Sequence, residues 1–217
     1  MSAFPWKAVA WDIDGTLVDS EPLHHRALVA ACGEHGLDLR DLPEMTFIGI
    51  HLRDVWEQLR RKLPETLAEA EFHSRVNHHY IAGADRLGAI AGAAETIRAL
   101  DAMGVAQVCA SNSARNVVDA NLAAIGVTAL MRGSISLDDV VEGKPAPESY
   151  LRAARLIDID PTDILVIEDS QTGVRAACAA GMQVALLSQG AGAPHAEADT
   201  EPHFRIAALG EILRLSR

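Results

Sequence analysis

The chain has 217 residues and a formal net charge of −11, from 30 acidic against 19 basic residues. That length buries one good core plus a small satellite, and the acidic balance excludes a nucleic-acid surface, which needs a Lys/Arg stripe to neutralise phosphates. No apolar run approaches the roughly 18 residues of a membrane span, and the N-terminal MSAFPWKAVAW lacks a secretory pattern, so a cytoplasmic protein with no membrane partner is expected.

In chain order, the apolar run Ala8-Val9-Ala10-Trp11 reads as a strand that stops at Asp12-Ile13-Asp14-Gly15-Thr16. The strand period of two aims Asp12 and Asp14 the same way. Amphipathic helical stretches follow at 23–35, 52–63 and 67–80, with no strand-like alternation between them. Beyond about residue 93 the pattern alternates: helix 94–103, strand 106–110, helices 114–125 and 148–156, strand 164–167, helix 172–180 and strand 184–187. Asp160-Pro161-Thr162 marks the turn before the strand at 164. The expected fold is α/β: a doubly wound, Rossmann-like core with a parallel sheet over 1–19 and 91–217, and an inserted α-helical cap over 20–90. Asp19-Ser20 and the stretch from Gly88 to Gly92 are the candidate hinges. Three cysteines, Cys32, Cys109 and Cys178, each lie in an apolar segment and read as buried thiols rather than a disulfide framework.

Four short pieces carry chemistry: Asp12 to Thr16, Ser111-Asn112, Lys144-Pro145 and Glu168-Asp169. In a doubly wound sheet ligands bind outside the carboxyl ends of the strands, where Asp12, Ser111 and Asp169 all fall. A carboxylate can approach an anionic phosphate monoester only if cations neutralise both, and a hard, oxygen-held Mg2+ suits that task. Asp12 and Asp169 are natural ligands. Attack by an Asp gives an aspartyl-phosphate, and its hydrolysis needs a base, for which Asp14 is the candidate. Gly15 permits a tight turn, backbone N–H groups there and near Ser111 can cradle phosphate oxygens, and Lys144 adds a point charge.

These residues, in this order, resemble the four-motif signature of the haloacid dehalogenase-like superfamily: Asp12 to Ser20 (DIDGTLVDS), Ser111, Lys144-Pro145 and Glu168-Asp169-Ser170, with Gly173-Val174 and Ala180-Gly181-Met182 following as members usually have them. The resemblance covers nearly the whole chain. It implies that Asp12 is the nucleophile and that Asp14 is the general acid/base and a metal ligand through its backbone carbonyl. Asp169 would be the remaining side-chain ligand, with Glu168 acting through a water. Ser111 and neighbouring amides would hold the phosphoryl group, with Gly15, Thr16 and Asn112 beside it, and Lys144 would stabilise it while orienting Asp12. Members that cleave carbon–halogen or carbon–phosphorus bonds lack the second Asp, so Asp14 points to phosphate esters.

In relatives the helical insert closes over the site and contacts the leaving group. Here Phe47-Ile48-Gly49-Ile50-His51-Leu52-Arg53 resembles the specificity segment. Phosphoglucomutase-like members carry a His at the position of His24, an Arg three residues after that Gly and a later cap Lys. This chain has the His, but Leu52 with Arg53 next, and Val76 with Arg75 beside it. His24 and Arg53 are the candidate substrate contacts; the other histidines and Glu34, Glu65, Glu69 and Glu71 read as solvated or half-buried faces. The expected activity is a Mg2+-dependent phosphatase on a small phosphorylated metabolite, as a monomer or weak homodimer. The alternatives are a sugar phosphate mutase and a non-enzymatic receiver-like module. Receivers place Lys-Pro last and lack both the insert and the second Asp.

Overall fold

The computed structural model describes residues 4–47, 49–188 and 200–216; Ile48 of the specificity segment and the first three residues of the N-terminal stretch lie outside them. The elements run β1 (Ala8–Trp11), β2 (Val18–Asp19), α1 (Glu21–Glu34), α2 (Leu52–Leu59), α3 (Glu69–Ala82), β3 (Gly88–Ala89), α4 (Ala93–Ala102) and β4 (Ala106–Ala110). They continue with α5 (Arg115–Ala124), β5 (Ser134–Ile135), α6 (Glu148–Ile157), β6 (Ile164–Glu168), α7 (Gln171–Ala179), β7 (Gln183–Leu187) and β8 (Phe204–Ile206). The chain divides into two compact units, one formed by the residues up to Asp19 with those from Gly88 onward, the other by Ser20–Leu87.

The first unit is built on a six-stranded sheet in the order β5-β4-β1-β6-β7-β8, parallel throughout. β1 is central and wholly buried, as its unbroken apolar run requires when helices cover both faces. Alternation sends Val9 and Trp11 into one layer with Ile97, Leu100 and Val118, and Ala8 and Ala10 into the other with Tyr150 and Ala153. Trp11 pairs with Cys109 on one side and Ile167 on the other, so β1, β4 and β6 end level. The Trp11 indole donates to Gln107 Oε1 (3.1 Å) and Gln107 Nε2 donates to Ile97 O (3.0 Å), which satisfies the polar groups this packing buries. Asp160 caps the turn before β6 by accepting from the Thr162 N–H.

Three short elements escape sequence periodicity. β5 and β8 are edge strands of two and three residues, too short for alternation to register. β3 pairs antiparallel with β2, Val18 with Ala89 and Asp19 with Gly88, and the Ile90 N–H bonds Leu17 O. Residues 88–90 therefore belong to the first unit rather than to the expected insert of 20–90. Cys32 and Cys109 are buried, but Cys178 is half-buried on the outer helix α7, a departure from three buried thiols. Among the described residues no helix is long and apolar enough to cross a membrane.

In the second unit α1 packs along α3, burying Leu23, Ala27, Leu28 and Ala31 on one helix and Phe72, Val76 and Tyr80 on the other. Pro22 sits in the first turn of α1, where it lacks no hydrogen bond. The helix expected over 52–63 ends as α2 at Leu59 and tightens into a single 3-10 turn, Arg60–Lys62. Pro64 is the cause: it pushes Leu63 to the extended region (φ −103°, ψ 161°). The Trp56 and Phe72 rings meet at 5.2 Å.

Glu34 is not simply solvated: it accepts from Arg75 Nε (2.7 Å) and Nη2 (2.5 Å) and lies 2.9 Å from His79 Nε2. The Arg75 guanidinium, with His79, holds the Glu34 carboxyl down at about 2. A depressed acid contributes stability fully above its unfolded value near 4.5 and loses it as pH falls toward about 2. Denaturant unfolding of wild type and Glu34→Gln should therefore differ most above about pH 5 and converge only below about pH 2. A gap that stays constant with pH would show that Glu34 contributes no ionic stabilisation.

Candidate active site

β1 delivers Asp12, whose N–H donates to Ile167 O on β6 (3.0 Å). The chain then turns sharply, with Gly15 N bonding Val18 O (2.9 Å) and Leu17 N bonding Ile13 O (2.8 Å). Gly15 has φ +79°, and a Cβ there would stand 2.1 Å from Asp169 Oδ2, so both conformation and space demand glycine. Thr16 Oγ1 reaches Asp169 Oδ1 at 3.4 Å. The first and fourth motifs thus touch through their loops.

Asp14 faces the second motif. Its Oδ2 accepts from Ser113 Oγ (2.8 Å) and Ser111 Oγ (3.2 Å), and its Oδ1 accepts from Asn121 Nδ2 (3.1 Å). Ser111 is buried and also accepts the Ser113 N–H (3.0 Å). Asn112 has its side-chain amide engaged at both ends, accepting from Lys144 N (2.8 Å) and donating to Lys144 O (3.1 Å). That amide is a clamp on the third motif.

Lys144 joins the third motif to the first and fourth. Its ammonium lies 2.6 Å from Asp12 Oδ1 and 2.7 Å from Glu168 Oε1, with the Lys144 side chain only 4% exposed. Tyr150 on α6 also donates to Glu168 Oε1 (2.9 Å), and its ring centroid is 4.8 Å from the ammonium. Glu168 Oε2 accepts from Ser170 Oγ (2.9 Å) and from the Asp169 and Ser170 N–H groups (3.2 Å each). Both Glu168 oxygens are therefore filled by donors of the protein itself. Gly173 makes this possible, since a Cβ there would stand 1.7 Å from Glu168 Oε1.

Burial, then the Glu168 charge, push the Asp12 carboxyl up against the opposing pull of Lys144. Asp169 is exposed at the surface, yet partial loss of its water and then the Glu168 charge push it up to about 7. Burial alone would lower Lys144, but Asp12 and Glu168 outweigh it and keep the ammonium charged. Tyr150 is driven up by burial and by Glu168, so its hydroxyl keeps its proton and donates.

One ammonium cannot balance three carboxylates. Oxygens of Asp12, Glu168 and Asp169 lie within 4.8 Å of one another, the one group of this kind among the described residues. The donor set is all oxygen and over-charged for Lys144 alone, which fits a hard divalent cation such as Mg2+ rather than one that seeks thiolate or imidazole.

His24 and Arg53 belong to the other unit. The His24 ring lies 4.4 Å from that of Tyr80, and Arg53 stands exposed in the first turn of α2, its N–H capped by His51 Nδ1 (3.2 Å). Val76 is core and Arg75 is engaged by Glu34. Sequence reasoning missed Ser113, Asn121 and Tyr150. Asn121 carried a signal, an amide on the apolar face of α5 between Val117, Val118 and Leu122; Tyr150 carried none, because its spacing is that of a core aromatic.

A family model described as haloacid dehalogenase-like hydrolase matches residues 6–181. Hexitol phosphatase A of Escherichia coli (strain K12) is 30% identical over 191 residues, covering 87% of this chain and 86% of that protein. The plasmid-borne phosphoglycolate phosphatase of Cupriavidus necator is 31% identical over 204 residues, covering 88% and 85% respectively. The crystal structure of CbbY from Rhodobacter sphaeroides in complex with phosphate superposes with a TM-score of 0.83 at 25% identity, covering 97% of this chain and all of that one.

Because Asp169 is raised to about 7 without a cation, folding without metal binds a proton that the unfolded chain, with its value near 3.8, releases. Its contribution favours folding below about pH 4 and is lost as pH rises through about 7. In a chelator the unfolding midpoint should decline over that range, and Mg2+ should abolish the decline while releasing protons on binding near neutral pH. Calorimetry in buffers of different ionisation enthalpy measures that release; none at all would show that the cation bypasses Asp169.

Proposed function

Since the chain belongs to the haloacid dehalogenase-like hydrolase family, we propose that it hydrolyses a small phosphomonoester, a sugar phosphate or similar metabolite, in a Mg2+-dependent, cytoplasmic reaction that passes through an aspartyl-phosphate on Asp12. One observation carries this reading: Asp12 lies beside both the Lys144 ammonium and a carboxylate cluster that can take a cation, with a second carboxylate, Asp14, two residues on. The names of the hexitol and phosphoglycolate phosphatases point to the same substrate class.

In the first half-reaction an Asp12 oxygen bonds to phosphorus as the P–O bond to the alcohol breaks, and Asp14 gives the departing oxygen its proton. In the second, water bonds to phosphorus and loses a proton to Asp14. The acyl-phosphate P–O bond then breaks and Asp12 is restored as inorganic phosphate leaves. Ser111, Ser113 and Asn121 hold Asp14 through both steps. Lys144 keeps Asp12 oriented and offsets charge that concentrates as phosphorus is attacked. Asp12, Asp169 and the Asp14 backbone carbonyl would hold Mg2+, with Glu168, its oxygens already filled, acting through water. When bound, the cation neutralises the anions that must meet.

Phosphate release from a panel of sugar phosphates, phosphoglycolate, nucleotides and p-nitrophenyl phosphate, with and without Mg2+, tests the reading directly. Asp12→Asn should fall below about 1% of wild-type turnover, because an amide is a poor nucleophile; higher activity would rule out the covalent role. Asp14→Asn should still be phosphorylated by a substrate with a good leaving group but lose the phosphate roughly 100-fold more slowly. Unchanged decay, read by acid-quench labelling, would assign the base elsewhere.

A further inference from the structure

The Lys144 ammonium is shared between two buried carboxylates at nearly equal distance, Asp12 Oδ1 at 2.6 Å and Glu168 Oε1 at 2.7 Å. How it divides between them sets how much of its charge Asp12 receives. Glu168 Oε2 is saturated by Ser170 and two backbone amides, so the balance is decided at Oε1. Only Tyr150 competes there among the hydrogen bonds described, and it is fully buried with its ring beneath the ammonium.

We propose that Tyr150 is a positioning residue that apportions Lys144: its hydroxyl takes up part of the acceptor capacity of Glu168 Oε1, so the ammonium stays committed to Asp12 instead of collapsing onto Glu168. The physical ground is that two donors on one carboxylate oxygen each polarise it less than one alone, and that such charge-assisted bonds are strong in a buried setting. Packing alone does not require the hydroxyl. The ring lies among Ala8, Ala10, Ala153 and Val166, and a phenylalanine would fill the same space. The ring offers the ammonium a cation–π face, but the face does not choose between the two carboxylates. The consequence for turnover rests on the proposed role of Asp12; the apportioning itself does not.

The sequence supplies an unusually clean readout, because the chain has three lysines. The Lys7 side chain is 71% exposed and Lys62 is exposed, whereas Lys144 is buried. Protein labelled with 15N at lysine Nζ should therefore show one ammonium signal protected from exchange with water. In Tyr150→Phe, with Mg2+ present, that signal should move and exchange faster while those of Lys7 and Lys62 stay. The turnover number on p-nitrophenyl phosphate should fall about ten-fold with KM unchanged. An unmoved Lys144 signal in folded Tyr150→Phe overturns the proposal. Should that variant fail to fold, ring-fluorinated tyrosine can be incorporated at the two tyrosines, Tyr80 and Tyr150. A stronger donor must then shift the Lys144 signal in wild-type sequence, and no shift overturns the proposal equally. A wild type that releases no phosphate from any ester refutes the phosphatase reading and leaves the lysine signals to decide this one.

Discussion

A single buried ammonium held between Asp12 and Glu168 is the constraint on which the rest of the core unit depends. Two buried carboxylates, Asp12 and Glu168, and the exposed Asp169 beside them lie within 4.8 Å of one another and repel, and one lysine offsets only part of that repulsion. The remaining negative charge makes the site costly to fold and receptive to a cation. Stability and function are opposed here, as they are wherever charge is concentrated before its partner arrives.

The surroundings can be read as the means of holding that charge in place. Level strand ends on β1, β4 and β6 bring Asp12, Ser111 and Glu168 to one edge, so the geometry derives from sheet register before any side chain is placed. Two glycines then clear room: without the missing Cβ of Gly15 Asp169 could not approach, and without that of Gly173 Glu168 could not be buried. Asn112 fixes the main chain of Lys144 and Tyr150 touches its head group, so the lysine is constrained at both ends.

The motif residues were legible because their chemistry is unusual where they stand: carboxylates that end apolar strands, a Lys-Pro, a Gly after two acids. Long strands and helices of the core were legible from period alone, β4 to the residue. What escaped has a common cause. β5, β8 and the β2–β3 pair are stabilised by partners distant in sequence, not by any pattern of their own. Ser113, Asn121 and Tyr150 act through hydrogen bonds to motif residues, and their spacing matches that of ordinary turn or core positions. Asn112 shows the converse, a motif residue whose side chain serves the scaffold. The charge cluster of Glu34 with Arg75 was hidden because its members are 41 residues apart.

The antiparallel pair of Asp19 with Gly88 has a consequence for how this chain could have been assembled. Directly opposed residues in such a ladder stand about 5 Å apart, a gap that a two-residue hairpin turn spans. The whole of Ser20–Leu87 is thus topologically an elongated hairpin loop, whose ends are fixed by the core and whose contents are free to change. Exchanging or even excising that segment would leave the sheet's connectivity intact. The scaffold therefore lets the contents of that loop be replaced without touching the strand ends that carry Asp12, Ser111 and Glu168.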